Sequence, residues 1–133
     1  MIKQIAVFLE NKEGKASACC KVLKDAGVNL YALSIADTTD FGILRLITDN
    51  NEAALKALKT AGYIVSEVEL VAIEVPDRAG ALSEILIALG DARVNVEYMY
   101  SYAETDGRAK IALKTAAPQM AISVLEDLGA KII

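Results

Sequence analysis

The sequence predicts an α+β fold of two βαββαβ units in tandem, each an antiparallel sheet with both helices on one face. Two observations carry that expectation. The first half of the 133-residue chain recurs in the second: Gly14 as Gly80, Asp25-Ala26 as Asp91-Ala92, Val28-Asn29 as Val94-Asn95, each 66 positions on (80 − 14, 91 − 25, 95 − 29). Each half also passes, in the same order, between β-rich runs and apolar residues at i, i+3, i+4, i+7, the spacing of one helical face. The units are placed at residues 1–66 and 67–133. A unit of roughly 66 residues buries only about 60% of its unfolded surface, so the two copies are expected to pack together or to oligomerise.

In the first half, Gln4 to Glu10 is a β-rich run, broken by Asn11-Lys12-Glu13-Gly14. Ala16, Cys19, Cys20 and Leu23 then mark the buried face of a helix that Gly27 ends, glycine being suited to the left-handed position there. Val28 to Ala36 reads as a strand, Asp37 to Asp40 as a turn, and Gly42 to Thr48 as the hairpin partner. Thr48-Asp49-Asn50-Asn51 offers capping side chains to a second helix with Ala54, Leu55, Leu58 and Ala61 on its sheet-facing side. Gly62 stops it, and Tyr63 to Val65 closes the unit.

The second half repeats the order. Val68 to Val75 is the strand, Pro76 to Gly80 the break, and Leu82, Ile85, Leu86 and Leu89 the helix face. Val94 to Tyr102 pairs with Arg108 to Lys114 across a turn at Glu104 to Gly107. Pro118 suits a first helical turn, and Ala121, Ile122, Leu125 and Leu128 form the last stripe before Gly129. Only Ser66-Glu67 separates one closing strand from the next opening strand. Arg93 stands where the first copy has Gly27, an uncomfortable residue for a left-handed backbone. This element order is that of the ferredoxin-like unit.

Composition excludes several functions. The hydrophobic share of 54% with 24% charged residues fits a compact fold, and a net charge of −4 with scattered basic residues gives no attraction to nucleic acid. No apolar run reaches the roughly 18 residues of a membrane span, and the opening residues lack a secretory core, so the chain is read as cytoplasmic. With no histidine in the chain, the usual general base and zinc nitrogen are missing. No phosphate-cradling glycine loop occurs, no cofactor or metal is expected, and no catalytic residue stands out. Cys19 and Cys20 read as small buried hydrophobes, because their counterparts are Ile85 and Leu86.

The break between first strand and first helix is the candidate site. Gly80 lets a backbone approach a ligand, and the amides of Gly80, Ala81 and Leu82 are expected as free donors at a helix N-terminus, suited to a carboxylate. Asp77 can take a cation. It can equally be a helix cap, with Gly80 merely making the turn. Asn29 and Asn95, at the exit from each first helix, offer donor and acceptor together and are expected to point towards that loop; the alternative is a turn asparagine. Tyr98, Tyr100 and Tyr102 alternate and are expected on one strand face, half-buried rather than a base-stacking platform.

At these residues the chain resembles the ACT domain, a small regulatory module that binds amino acids and other metabolites. The match is strongest from Val71 to Tyr102, through Pro-Asp-Arg-Ala-Gly-Ala-Leu and Val94-Asn95-Val96-Glu97-Tyr98, and looser in the first half through Gly14, Val28 and Asn29. The resemblance implies a ligand site at the interface between ACT units. Asp77, Gly80, Ala81, Leu82 and Asn95 would line one such site, and Asn11, Gly14, Lys15, Ala16 and Asn29 its counterpart. Backbone amides would take the carboxylate and Asn or Asp side chains the ammonium. With Asn11 in place of Asp77, the first loop has a weaker ammonium partner. The expected protein is a non-enzymatic, amino-acid-responsive homodimer or higher homo-oligomer. Its rival is a ligand-free oligomerisation module, or the regulatory subunit of an amino-acid biosynthetic enzyme.

Overall fold

The computed structural model describes residues 1–37 and 40–133. The chain forms β1 (Ile2–Glu10), α1 (Lys15–Asp25), β2 (Leu30–Asp37), β3 (Phe41–Thr48), α2 (Asn51–Thr60), β4 (Ile64–Pro76), α3 (Ala81–Asp91), β5 (Tyr98–Thr105), β6 (Arg108–Lys114), α4 (Pro118–Asp127) and β7 (Lys131–Ile132). It divides into two compact units, Lys3–Val68 and Glu69–Ile133, the latter including Met1–Ile2. The expected turn at Asp37 to Asp40 runs through Thr38 and Thr39, which lie outside the described residues.

In the first unit β3 pairs antiparallel with β1 and with β2. Ile5, Val7 and Leu9 alternate along β1 and face one way with Leu44 and Leu46 of β3. That row buries against Cys19 and Leu23 of α1 and Ala54 and Leu58 of α2. Period two in the strand and about 3.6 in the helices bring the apolar rows together. The second unit has its strands in the order β7-β4-β6-β5, all neighbours antiparallel. Its core is built the same way from Val71, Ile73 and Val75, Ile111 and Leu113, Ile85 and Leu89, Ala121 and Leu125.

The helix ends explain why each chain segment returns to its sheet. Gly27, Gly62 and Gly129 have φ of 73°, 91° and 85°. In each case the next residue donates back to the carbonyl five positions earlier: Val28 to Leu23, Tyr63 to Leu58, Ala130 to Leu125. This Schellman closure satisfies carbonyls the helix leaves open. Arg93 takes the same place after α3 with φ 60°, and Val94 donates to Leu89 at 2.9 Å. At the other ends, Asn50 accepts from the Ala53 amide at 3.0 Å and Pro118 occupies the first turn of α4.

Several expectations change in detail. The strands expected on either side of Ser66-Glu67 are one continuous strand, β4, because residues 64–75 are rich in β-branched types and contain no Gly or Pro. The buried face of α3 is Ala81, Ile85 and Leu89, whereas Leu82 and Leu86 are 40% and 38% exposed. That helix is apolar nearly all round, so its sequence alone marks no single face. Ala61 and Leu128, expected in apolar stripes, cap their helices and are exposed. β5 starts at Tyr98, since Val94 is engaged in closing α3, and it ends in a two-residue turn, Asp106-Gly107, whose φ values of 54° and 71° match the twist of a tight hairpin. The register of β5 on β6 shifts between Ser101 and Ala103. Tyr102 therefore sits in a bulge, and the alternation shared by Tyr98 and Tyr100 stops there.

Arg93→Gly is expected to raise the unfolding free energy by roughly 0.5–1 kcal/mol, the left-handed penalty less the entropy of an added glycine. Urea titration reads the change. A lower midpoint would reveal a stabilising role for the arginine side chain.

Candidate functional site

The loop from β4 to α3 is held by its backbone. The Asp77 amide donates to the Gly107 carbonyl at 2.8 Å, fixing the loop to the start of β6, and the Arg78 amide donates to Pro76 at 2.9 Å. Gly80, with φ 88°, turns the chain into the helix, where no side chain caps the N-terminus. Asp77 is therefore not the helix cap. Its carboxylate is exposed and has no partner among the described residues. The Ala81 amide, expected free, donates to Arg78 at 3.3 Å, while those of Gly80 and Leu82 have no partner among the described residues.

The first unit repeats this skeleton bond for bond. The Asn11 amide donates to Asp40 at 2.8 Å, Lys12 to Glu10 at 2.9 Å, and Lys15 to Lys12 at 3.3 Å. Gly14 has φ 79° and α1 likewise has no side-chain cap. Ala16 is partly packed on the core, and the Ser17 hydroxyl donates to the Gly14 carbonyl at 3.0 Å.

The asparagines do not join these loops within their own unit. Asn29 exchanges bonds with Asp49 just beyond the end of β3: its amide donates to Asp49 Oδ1 at 3.0 Å, and the Asp49 amide donates to its carbonyl at 3.1 Å. The Asn11 loop is tied to Asp40, just before the start of β3. Eight residues of strand, on the order of 25 Å, lie between. Asn95 is separated from Asp77 in the same manner: Glu97, close after it, donates to Lys114 at the end of β6, while Asp77 is tied to Gly107 before its start. The helix runs back along the strand, so its entrance and exit lie at opposite ends of the sheet. The expectation that each asparagine points towards its own unit's loop is thus not met.

Sequence reasoning missed a charged cluster beside the second loop. Arg78 Nη2 grips both oxygens of Glu84, at 2.9 and 3.2 Å. Glu74, on β4, receives two cations on one oxygen: Arg108 Nε at 3.2 Å and Lys131 Nζ at 3.3 Å from Oε2. Lys131, with Arg108, holds the Glu74 carboxyl below its ordinary range against the opposing effect of burial. Burial, and then the Glu74 charge, push the Tyr102 phenol up. The only sequence signal for this cluster was one glutamate inside an otherwise apolar stretch.

Cys19 lies in the first core, where burial, reinforced by Cys20, pushes its thiol up to about 11. Such a thiol is poorly nucleophilic at neutral pH. Among the described residues no cluster of potential ligands could hold a metal ion, and no helix is long and apolar enough to cross a membrane.

A family model described as an ACT domain pair matches residues 1–128. A crystal structure of a protein from Bacteroides thetaiotaomicron is similar at 36% identity and a TM-score of 0.91, over 99% of this chain and 91% of that one. The ligand-free regulatory subunit of aspartate kinase from Thermus thermophilus shares the fold at 14% identity and a TM-score of 0.65, over 94% and 91% of the two chains. The regulatory subunit of aspartate kinase from Thermus flavus does so at 13% identity and 0.66, over 94% and 90%. No curated protein matches the chain.

Glu74 has a folded-state pKa below its unfolded one, so its ionisation stabilises the fold above the ordinary value of 4.5 and that gain disappears as pH falls through the folded value. The melting-temperature gap between wild type and Glu74→Gln is expected to be widest near neutral pH and to close in acid. A gap independent of pH would mean that the carboxylate charge is not what stabilises. Iodoacetamide at pH 8 is expected to spare Cys19 in the native protein and to label it on unfolding, as mass spectrometry would read.

Proposed function

The chain belongs to the ACT domain pair family, and from that premise we propose that it is a non-enzymatic regulatory protein that binds a small ligand, foremost an amino acid, where ACT units meet. One observation carries the reading: beside the αL turn at Gly80, an unpartnered carboxylate at Asp77 stands close in sequence to the open amides of Gly80 and Leu82. Open amides at a helix N-terminus favour a carboxylate, and Asp77 favours an ammonium. An α-amino acid carries both.

Because the loop and the asparagine of one unit are a sheet-length apart, Asn95 or Asn29 contributes to such a site only from another unit. That supports a site made by assembly rather than one contained in a single unit. The second loop, with Asp77, Gly80, Ala81 and Leu82, is the stronger half. The first, with Asn11, Gly14, Lys15 and Ala16, offers an amide in place of the carboxylate. Bound ligand shifts the arrangement of units only by its differential affinity for the alternatives.

Assembly has support of its own. Tyr31, Leu33 and Ile35, on the edge strand β2, are 62%, 54% and 52% exposed. An apolar sheet edge of this kind favours pairing with another chain, in keeping with a homodimer or higher homo-oligomer in the cytoplasm. The kinase regulatory subunits with the same fold suggest an enzyme as the partner that reads the ligand. A ligand-free oligomerisation module is the competing reading.

Thermal shift across the common amino acids separates them. At least one is expected to raise the melting temperature in proportion to RT ln(1 + [L]/Kd), whereas a flat panel favours the competing reading. Asp77→Ala and Asn95→Ala are each expected to abolish that rise while costing less than about 1 kcal/mol of apo stability, both being exposed. Loss of folding in either variant would mark the side chain as structural.

A further inference from the structure

The face of the first sheet that points away from the helices carries its own apolar row. Phe8 lies opposite Ile43, and Ala36 lies opposite Ile43 on the other side. Glu10 and Phe41 form the next row towards one end of the strands, and Ala6, Arg45 and Ser34 form the next towards the other. Phe8 stacks on Phe41 with ring centroids 4.8 Å apart. Ile64 stands with Phe8 and Ile43 around a cavity of about 240 Å³ on this face. Phe8, Phe41, Ile43 and Ile64 remain 44%, 42%, 37% and 72% exposed in the whole chain.

The fold does not require apolar residues there. Glu74 takes the place of Phe8, 66 positions on, while Arg108, Lys110 and Lys131 take those of Phe41, Ile43 and Ile64, 67 positions on. Glu74 is the register partner of both Lys110 and Lys131. The second unit therefore presents charge to water along the row that the first unit leaves apolar. A charged row cannot cover an apolar one without losing its hydration. A second copy of the first unit's own face can.

That face is complementary to itself. A two-fold axis along the row Phe8–Ile43–Ala36 lays each strand over its own copy and exchanges the two flanking rows. Arg45 then lies over the ring of the partner's Phe41 and beside the partner's Glu10, and symmetry makes this contact twice. With a full area on the order of 200 Å² for each large side chain, the four exposed residues offer roughly 400 Å² of apolar surface. That is about half of what each partner buries in a standard interface. Glu10, Ser34, Arg45 and Ser66 surround it as the polar rim that such an interface carries.

We propose that the protein forms a two-fold dimer through the helix-free sheet face of its first unit, with Phe8 and Ile43 at the axis and Arg45 on the partner's Phe41. This interface is separate from the β2 edge, where Leu33 and Ile35 share the rows of Leu46 and Leu44 on the opposite face. It needs no ligand and does not rest on the amino-acid reading of the loops.

Sedimentation equilibrium of the full chain, at concentrations up to about 100 µM, tests this. The wild type is expected at the mass of a dimer or a multiple of it. Ile43→Glu and Ile43→Lys each set like charges against each other at the axis and are expected to weaken the dimer about a hundredfold or more. Circular dichroism reads whether they fold. An equimolar mixture of the two is expected to dimerise again, because opposite charges then meet across the axis. Ile64→Glu, at the most exposed position of the patch, is expected to weaken the dimer roughly tenfold and serves should the residue 43 variants fail to fold. Leu33→Glu is expected to leave a dimer. A monomeric wild type, a dimer indifferent to the changes at Ile43 and Ile64, or folded residue 43 variants that stay apart when mixed overturns the proposal. So does a dimer dissolved by Leu33→Glu alone, which assigns assembly to the β2 edge. A flat amino-acid panel with this dimer intact supports the interface and counts against the loop reading only.

Discussion

Burial of one alternating apolar row per unit is the constraint on which the rest depends. Ile5, Val7 and Leu9 in the first, and Val71, Ile73 and Val75 in the second, can be covered only if two helices lie across the same sheet face. Each helix must then run back along the strand it follows. The Schellman closures make that return compact, turning the chain within two residues and burying Val28 or Val94 against the core.

The same return dictates where ligand chemistry can gather. The loop entering the first helix lies at one end of the sheet and the asparagine leaving it at the other. A single ACT unit therefore cannot bring its opening loop and its helix-exit asparagine together. In the reading proposed above, a ligand touching both the loop of one unit and the asparagine of another would report on whether units have met, its binding energy favouring the met state.

Duplication frees one copy to diverge while the backbone is preserved. The hydrogen bonds of the two opening loops agree within 0.1 Å wherever the same bond recurs, as at Asn11 and Asp77 with 2.8 Å each, yet their surroundings differ. An aromatic stack occupies the position of an ion pair, and Asn11 that of Asp77. Both arrangements are compatible with the fold because Phe8 and Glu74 lie off the buried row. At those positions packing sets no residue type, leaving the side chain open to other roles.

The sequence by itself determined the number of units, the order of their elements and the loops where glycine turns strand into helix. Those properties are local: a period of two or 3.6, a cap or a left-handed residue is written in a few consecutive positions. It did not mark the buried side of α3, where apolar residues surround the helix, nor the bulge at Tyr102, which needs its partner strand to be defined. Only the tertiary structure separated the asparagines from their loops and gathered Glu74, Arg108 and Lys131. Glu74 and Arg108 are 34 positions apart, and no periodicity relates them. Their pairing is a matter of distance through space, which the sheet register sets and the linear order of residues leaves unstated.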